Sequence, residues 1–273
     1  MGWFSFGSKD IGMDLGTSNI LISIKGKGII LNEPSVVAID RKNNEIVATG
    51  HEAKEMIGRT PEQIRAVRPM KDGVIADFTA TQLLIKELIT KACKRYNAGR
   101  PRVVVGVPSG ITEVEERAVE EAVSQAGARE VYLIEEPMAA AIGAGLEVVE
   151  PTGNMIVDIG GGTTEVAVIS LGGIVVSDSI KIAGDEIDEA IINYIKNNLN
   201  LAIGSALAEQ VKIELGCATL PTTEKTMEIR GRELTTGLPE NKTITATEVQ
   251  AAIAPEIEKI IDLVKATLEK TPP

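Results

Sequence analysis

Histidine, cysteine and aromatic residues are scarce in this chain of 273 residues. His51 is the only histidine, which excludes a zinc site built from several imidazoles. The two cysteines, Cys93 and Cys217, lie far apart without a CxxC pair, and we expect no secretory signal. This pattern is typical of a protein that works in a reducing cytoplasm.

Long hydrophobic runs are also missing, because no apolar stretch approaches the roughly 18 residues of a membrane-spanning helix. Lys and Arg number 28 against 39 Asp and Glu, so the net charge is -11. Such a chain repels nucleic-acid phosphates, and we expect no nucleic-acid partner. What the chain does have is 44% hydrophobic residues, enough for one large domain or two of ordinary size.

The few aromatic residues are unevenly placed. Three of the seven, Trp3, Phe4 and Phe6, precede the first charged residue, Lys9. Phe6 stands where an N-myristoylation signal needs Ser or Thr, so that modification is not expected. This cluster therefore needs another explanation.

Hydrophobic periodicity predicts alternating strands and helices, which is typical of an α/β fold. The first half is expected to contain hairpins at 10–32 and 35–50, helices at 79–96, 112–127 and 138–147, and strands at 102–108 and 130–137. Thr112 and Glu115 form a capping-box pattern at the start of the second of these helices, and Gly127 follows its end. The second half is expected to contain hairpins at 154–184, helices at 185–200, 206–216 and 247–270, and a strand at 226–237.

One internal repeat links the two halves. "DLGTSNILISIKGKGII" begins at Asp14, and "DIGGGTTEVAVISLGGIVV" begins at Asp158, 144 residues later. Both run from an apolar strand through Asp and a small polar turn into a glycine-linked hairpin. The sequence therefore predicts two similar subdomains.

The two turns have the composition of phosphate-binding loops. Glycine leaves backbone N–H groups open to an anion, and neighbouring hydroxyls can donate as well. The candidate residues are Gly16, Thr17, Ser18 and Asn19 in the first turn, and Gly160, Gly161, Gly162 and Thr163 in the second. Together they could hold a polyphosphate from two sides.

Asp14 and Asp158 would repel a polyphosphate unless a cation lay between them. Mg²⁺ keeps most of its waters and is held by one or two carboxylates together with substrate phosphates. One aspartate in each turn meets that requirement. The alternative is that each aspartate only stabilises its turn, which is the better explanation for a single DxG.

Two further acids, Glu135 and Glu136, end a buried strand in "LIEEPMAAAIG". A carboxylate on a rigid strand end can orient the water that attacks a terminal phosphate. The alternative is a helix-start charge favoured by the helix dipole, which we expect for one of the two.

In combination these motifs resemble the actin-like ATPases, a superfamily with actin, seventy-kilodalton heat-shock chaperones and sugar kinases. "DLGTSN" and "DIGGGTTEV" resemble its phosphate loops, and "EEPMAAAIG" resembles the segment with the water-positioning acid. "GKGIILNEPSVVAI", "RPMKDGVIADF", "VPSGITEVEERAV" and "AGDEIDEAIINYI" resemble the bacterial MreB/Mbl family across essentially the whole chain. The resemblance implies an actin-like α/β fold of duplicated mixed-sheet subdomains around a nucleotide cleft.

The resemblance also implies domain boundaries and site roles. Domain I would span 1–148, with subdomain IB at about 36–77, and domain II would span 149–273, with IIB at about 185–245. Thr17, Ser18 and Asn19 would meet the β- and γ-phosphates, with Gly161, Gly162 and Thr163 opposite them. Asp14 and Asp158 would hold Mg²⁺ through water, and Glu136, or less readily Glu135, would position the attacking water. The nucleoside would be met by Glu209, Gln210, Val211 and Lys212, which the residues alone identify only as a solvated helix face with a salt-bridge pair.

By resemblance, the function would be that of an ATP-binding and ATP-hydrolysing cytoskeletal protein. It would form filaments at the cytoplasmic face of the membrane and organise cell-wall elongation in a rod-shaped bacterium. Trp3, Phe4 and Phe6 would then insert at the membrane interface, although packing on the first strand is the alternative. Rival functions on the same fold are a sugar or acetate-type kinase and a chaperone-like nucleotide-binding module.

The chain departs from the family pattern at its end. Family members continue past "TPP" at 271–273 with a third glycine-rich loop, resembling "LTGGG", that encloses the adenosine. We therefore expect a form truncated at the C-terminus that lacks one wall of the nucleotide site.

Overall fold

The computed structural model describes residues 10–96 and 99–272 and divides into two compact units. The first unit runs through Gly161 and includes Glu165–Asp178, and the second holds Gly162–Thr164 and the chain from Ser179 onward. The boundaries expected from sequence, 1–148 and 149–273 with their subdomains, stay a prediction.

The elements alternate between strands and helices along much of the chain. The strands are β1 (Asp10–Leu15), β2 (Asn19–Ile24), β3 (Gly28–Pro34), β4 (Val37–Asp40), β5 (Ile46–Thr49), β6 (Ile64–Val67), β7 (Met70–Lys71), β8 (Val74–Ile75), β9 (Arg102–Val107), β10 (Glu130–Glu135), β11 (Asn154–Ile159), β12 (Thr164–Ser170), β13 (Gly173–Ile180), β14 (Leu201–Ala202), β15 (Thr226–Glu233) and β16 (Pro239–Thr245). The helices are α1 (His51–Met56), α2 (Phe78–Tyr96), α3 (Glu113–Gln125), α4 (Glu136–Gly143), α5 (Gly184–Leu199), α6 (Ser205–Leu215) and α7 (Ala246–Lys270).

A mixed five-stranded sheet, in the order β10-β9-β1-β2-β3, is the centre of the first unit. Strands β1, β9 and β10 run parallel, whereas β1, β2 and β3 form an antiparallel meander. Asp14 pairs with Gly106, which in turn pairs with Ile134. The carboxyl ends of the three parallel strands therefore meet at one edge, which is where open α/β sheets bind ligands.

Alternation of side chains explains how this sheet is covered. Ile11, Met13 and Leu15 of β1 are buried, and they share a core with Leu84 and Leu88 of α2. The capping box predicted for α3 is confirmed: Thr112 Oγ1 accepts the N–H of Glu115 at 3.3 Å, and Glu115 Oε2 accepts the N–H of Thr112 at 2.8 Å. These contacts start α3 at the position that the sequence predicted.

Several short strands were missed by periodicity. The predicted hairpin at 35–50 exists as β4 and β5, but β6 adds a third strand on the other side of β4. Likewise β15, shorter than its predicted span, lies between β14 and β16. In β16 only Ile244 is buried, so the apolar alternation that would have revealed this strand is too weak.

The second unit packs α5, α6 and α7 with the sheet β14-β15-β16 around its own core. Ile191 and Ile195 of α5, Val211 of α6 and Val249 of α7 are buried without measurable exposure. Thr245 caps α7 by accepting the N–H of Glu248 at 3.1 Å. The shared core packs α6, which carries the predicted nucleoside residues, against α5.

Candidate nucleotide site

Asp14 and Glu136 lie at the carboxyl edge of the parallel strands. Asp14 is the penultimate residue of β1, and Glu136 follows β10 as the first residue of α4. The space beside Gly106 of β9 is filled by Glu136, whose Cγ would lie 3.3 Å from a Cβ at that position. Because Gly106 has no side chain, the Glu136 side chain can lie over the end of β9, next to the position on β1 that Asp14 occupies.

The acids at this edge hold their protons unusually strongly. Surrounding protein raises the pKa of Glu136 to about 8, and the charges of Asp14, Glu165 and Asp158 add to the rise. Asp14 has an exposed surface, yet desolvation by the surrounding protein and the charge of Asp158 raise its pKa to about 6. Burial also raises the pKa of Asp158. Such a group of carboxylates is stabilised by protons or by a cation.

Glu135 and Glu136 differ sharply despite being neighbours. Glu135 is exposed at the end of β10, whereas Glu136 is half-buried among the other acids. Of the two, Glu136 is therefore the one that lies among the other acids of this edge.

The first glycine turn is held by backbone and hydroxyl contacts. A Cβ at Gly16 would lie 2.7 Å from the carbonyl oxygen of Asn19, so only glycine fits this turn. Ser35 secures it by donating its hydroxyl to Gly16 O at 2.6 Å and its N–H to Ser18 O at 2.9 Å. Thr17 is buried, and its hydroxyl accepts the N–H of Gly73 at 2.9 Å. Thr17 can still donate its own hydroxyl hydrogen to a ligand.

The second glycine turn meets the first at Gly161. A Cβ at Gly161 would overlap the Ser18 hydroxyl, and it would lie 3.1 Å from the Ser18 backbone nitrogen. Gly161 therefore lies directly against Ser18 and leaves no room for a side chain. Gly160 is exposed in the same unit, whereas Gly162 and Thr163 belong to the second unit, where Gly162 is buried.

Glu165, two residues beyond Thr163, is a further acid of this region that the sequence motifs did not predict. Its side chain is 2% exposed, and its carboxylate accepts the N–H of Ser109, in the turn after β9, at 3.0 Å. Its charge adds to the raised pKa of Glu136. The signal was present as an acid inside the apolar run "TTEVAVIS", where a buried charge demands a specific partner.

Among the described residues, no group of three or more Asp, Glu, His or Cys side chains is placed to hold a metal ion. Asp14 and Asp158 do fit Mg²⁺ of the kind that keeps its waters and shares its shell with phosphates, because such an ion needs only one or two carboxylates. The raised pKa values of both acids indicate a site where a positive charge would be stabilised.

The predicted nucleoside residues lie on α6 in the second unit. Lys212 Nζ donates to Gly184 O at 2.8 Å and forms an ion pair with Asp188 Oδ1 at 2.8 Å. Val211 points into the core, so only its backbone can face a ligand. Gln210 donates to Glu214 one turn along the helix at 2.9 Å.

Trp3, Phe4 and Phe6 lie outside the described residues, so their insertion at the membrane interface, which the family resemblance implies, stays a prediction. Within 10–96 and 99–272, no helix is both long and apolar enough to cross a bilayer.

Comparison with known proteins agrees with this architecture. The chain is 49% identical over 266 residues to the cell shape-determining protein Mbl of Bacillus subtilis, covering 97% of this chain and 80% of that protein. It is 52% identical over 271 residues to the cell shape-determining protein MreB of Escherichia coli K12, covering 97% and 78%. These relatives do not support the kinase alternative.

Solved structures give the same fold. MreB5 of Spiroplasma citri bound to AMPPNP matches with a TM-score of 0.89 and 41% identity, covering 97% of this chain and 80% of that one. The same protein bound to ADP matches with a TM-score of 0.91 at 41% identity, covering 98% and 80%. A MamK double helical filament, at 22% identity and a TM-score of 0.79, shares the actin-like fold. Since the MreB/Mbl protein family also matches residues 8–273, this chain belongs to the MreB/Mbl family.

Proposed function

We propose that this protein binds and hydrolyses ATP and polymerises into membrane-associated filaments that determine rod cell shape by organising cell-wall synthesis. The observation that carries the proposal is the meeting of the two glycine turns beside Asp14 and Glu136 at the strand edge. Its relatives are named cell shape-determining proteins, and the matched MreB5 structures are bound to AMPPNP and ADP.

The phosphates would lie between the two turns. Thr17, Ser18 and Asn19 would donate to the β- and γ-phosphates, and Gly161, Gly162 and Thr163 would offer backbone N–H groups and a hydroxyl to them. Asp14 and Asp158 would hold Mg²⁺ through water, and the ion would supply positive charge against the phosphates when bound. The division into domain I at 1–148 and domain II at 149–273 belongs to this proposal.

Glu136 would position the attacking water in the loaded site. A protonated carboxyl cannot accept the water's proton, so Glu136 must first be ionised, and its raised pKa means that it is mostly protonated at neutral pH in the empty site. Hydrolysis should therefore speed up with rising pH as Glu136 loses its proton. Glu209 and Lys212 would meet the nucleoside from α6.

Replacing Glu136 with Ala is the direct test of this role. Single-turnover hydrolysis should slow by about 10²–10⁴-fold, the usual contribution of a positioned acid–base group. ATP affinity should stay near that of the wild type, because the phosphate turns are unchanged. Glu135→Ala is the matched control and should hydrolyse ATP normally. Unchanged turnover in the Glu136 variant would remove this residue from catalysis.

The filaments would lie at the cytoplasmic face of the membrane, where wall-elongation proteins would be their partners. Trp3, Phe4 and Phe6 would anchor each subunit. Each buried aromatic side chain contributes at most about 1.5–3 kcal/mol, so one copy binds weakly whereas a filament of many copies binds firmly. Liposome flotation with ATP should be lost on combining Trp3→Ser with Phe4→Ser, while pelleting without lipid persists. Flotation that survives both changes would rule out this anchor.

A further inference from the structure

Asp188 is the most deeply buried aspartate among the described residues, and no site role has been predicted for it. It lies in the second turn of α5 and is 8% exposed. Burial raises its pKa, which reports the cost of holding a carboxylate away from water. A residue needed only for packing would be better apolar, since a buried ion pair adds little net stability over hydrophobic side chains of similar size.

The partner of Asp188 is Lys212 of α6, one of the residues predicted to reach the nucleoside. Lys212 Nζ lies 2.8 Å from Asp188 Oδ1 and 2.8 Å from Gly184 O, so this single ammonium joins α6 to the first two turns of α5. At this distance the contact is a charge-assisted ion pair, and it lowers the pKa of Asp188 against the rise that burial causes.

The Lys212 ammonium has one more donor than these two contacts use. An ammonium has three N–H bonds, of which Gly184 takes one and Asp188 attracts another. One N–H is left for a ligand, and the other two contacts determine its direction. Without Asp188, the ammonium could turn on its flexible stem.

Two other carboxylates lie within electrostatic reach of Asp188. The charges of Glu209 and Asp185 both raise the pKa of Asp188, which places them within electrostatic reach of the pair. Glu209 is also a predicted nucleoside residue, one helical turn before Lys212. If Asp188 lost its charge, Lys212 would be drawn toward Glu209 and Asp185, and both predicted nucleoside contacts would move.

We infer that Asp188 is a positioning residue for nucleoside recognition, which it controls by orienting the Lys212 ammonium. This inference rests on the proposed function, because it assumes that Glu209 and Lys212 meet the nucleoside. It predicts that Asp188 affects the nucleoside part of the ligand and leaves the phosphate part unaffected.

Asp188→Asn tests the inference by calorimetric titration of the full chain with ADP and, separately, with pyrophosphate, both in Mg²⁺. The Kd for ADP should rise about tenfold, which is the scale of one lost charge-assisted contact. The Kd for pyrophosphate should stay unchanged. Asp262→Asn is the matched control: it removes an exposed ion pair with Lys265 on α7 of the same unit and should change neither Kd.

A double-mutant cycle shows whether Asp188 acts through Lys212. Lys212→Met alone should weaken ADP binding, and adding Asp188→Leu should weaken it no further, because the partner is already gone. This double variant also covers the case in which Asp188→Asn fails to fold, since it buries no unpaired charge.

The outcomes distinguish failure of the inference about Asp188 from failure of the proposed function. An unchanged ADP Kd in Asp188→Asn, or an equal loss for ADP and pyrophosphate, would overturn the inference and leave a purely structural ion pair. Additive losses in the cycle would do the same. Failure of the wild-type chain to bind ADP or ATP would instead overturn the proposed function, and the inference with it.

Discussion

Glu136 shows how one residue can make stability depend on pH. Its pKa is about 8 in the folded chain against 4.5 for an ordinary glutamate, so the folded state binds its proton more tightly than the unfolded state does. Above pH 4.5 the unfolded chain releases this proton while the folded chain keeps it. The free energy of unfolding therefore falls as pH rises from about 4.5 to about 8.

Glu136→Gln should abolish this contribution, because the amide cannot ionise. We expect the nucleotide-free variant to match the wild type near pH 5 and to melt at a higher temperature than the wild type at pH 8.5. Thermal denaturation followed by circular dichroism at both pH values measures the difference. Glu135→Gln, at an exposed neighbour, should leave the wild-type pH profile in place. A wild type that is as stable as the Gln variant at pH 8.5 would show that Glu136 is not desolvated.

At the scale of the element, α3 depends on its capping box. Thr112 and Glu115 satisfy two backbone N–H groups that the first turn would otherwise leave open. Thr112→Ala should lower the free energy of unfolding by about 1 kcal/mol, the usual value of an N-cap. Urea denaturation measures this, with Val114→Ala, 77% exposed on the same helix, as a control of small effect. A Thr112 variant as stable as this control would mean that the cap contributes nothing.

At the scale of the whole molecule, the net charge of -11 opposes assembly of identical subunits. Salt shortens the Debye length from about 30 Å at 0.01 M to about 8 Å at 0.15 M, so it weakens repulsion between copies more than it weakens close apolar contacts. ATP-dependent pelleting should therefore increase over this range of salt concentration. Pelleting that instead decreases would indicate subunit contacts held by complementary charges.

Local sequence patterns predicted much of the fold, whereas the roles of the site residues stay predictions. The capping box at Thr112 and the glycine turns beside Asp14 and Asp158 depend on neighbours a few residues apart, so their composition alone reveals them. The strand β16 was not predicted because it buries few apolar side chains. Its pairing with β15 supplies the strand stability that its composition does not.

The sequence by itself determined the α/β class, the family, and the two turns with their acids, because hydrophobic period, glycine and caps act over short stretches of chain. Only the tertiary structure decided that Glu136 lies among other acids while Glu135 is exposed, that Glu165 is buried, and that Lys212 pairs with Asp188. Each of these outcomes depends on desolvation and on charges brought together from distant parts of the chain. The sequence shows which residues can carry a charge. Their ionisation energies depend on the water that folding removes and on the charged partners that folding brings close.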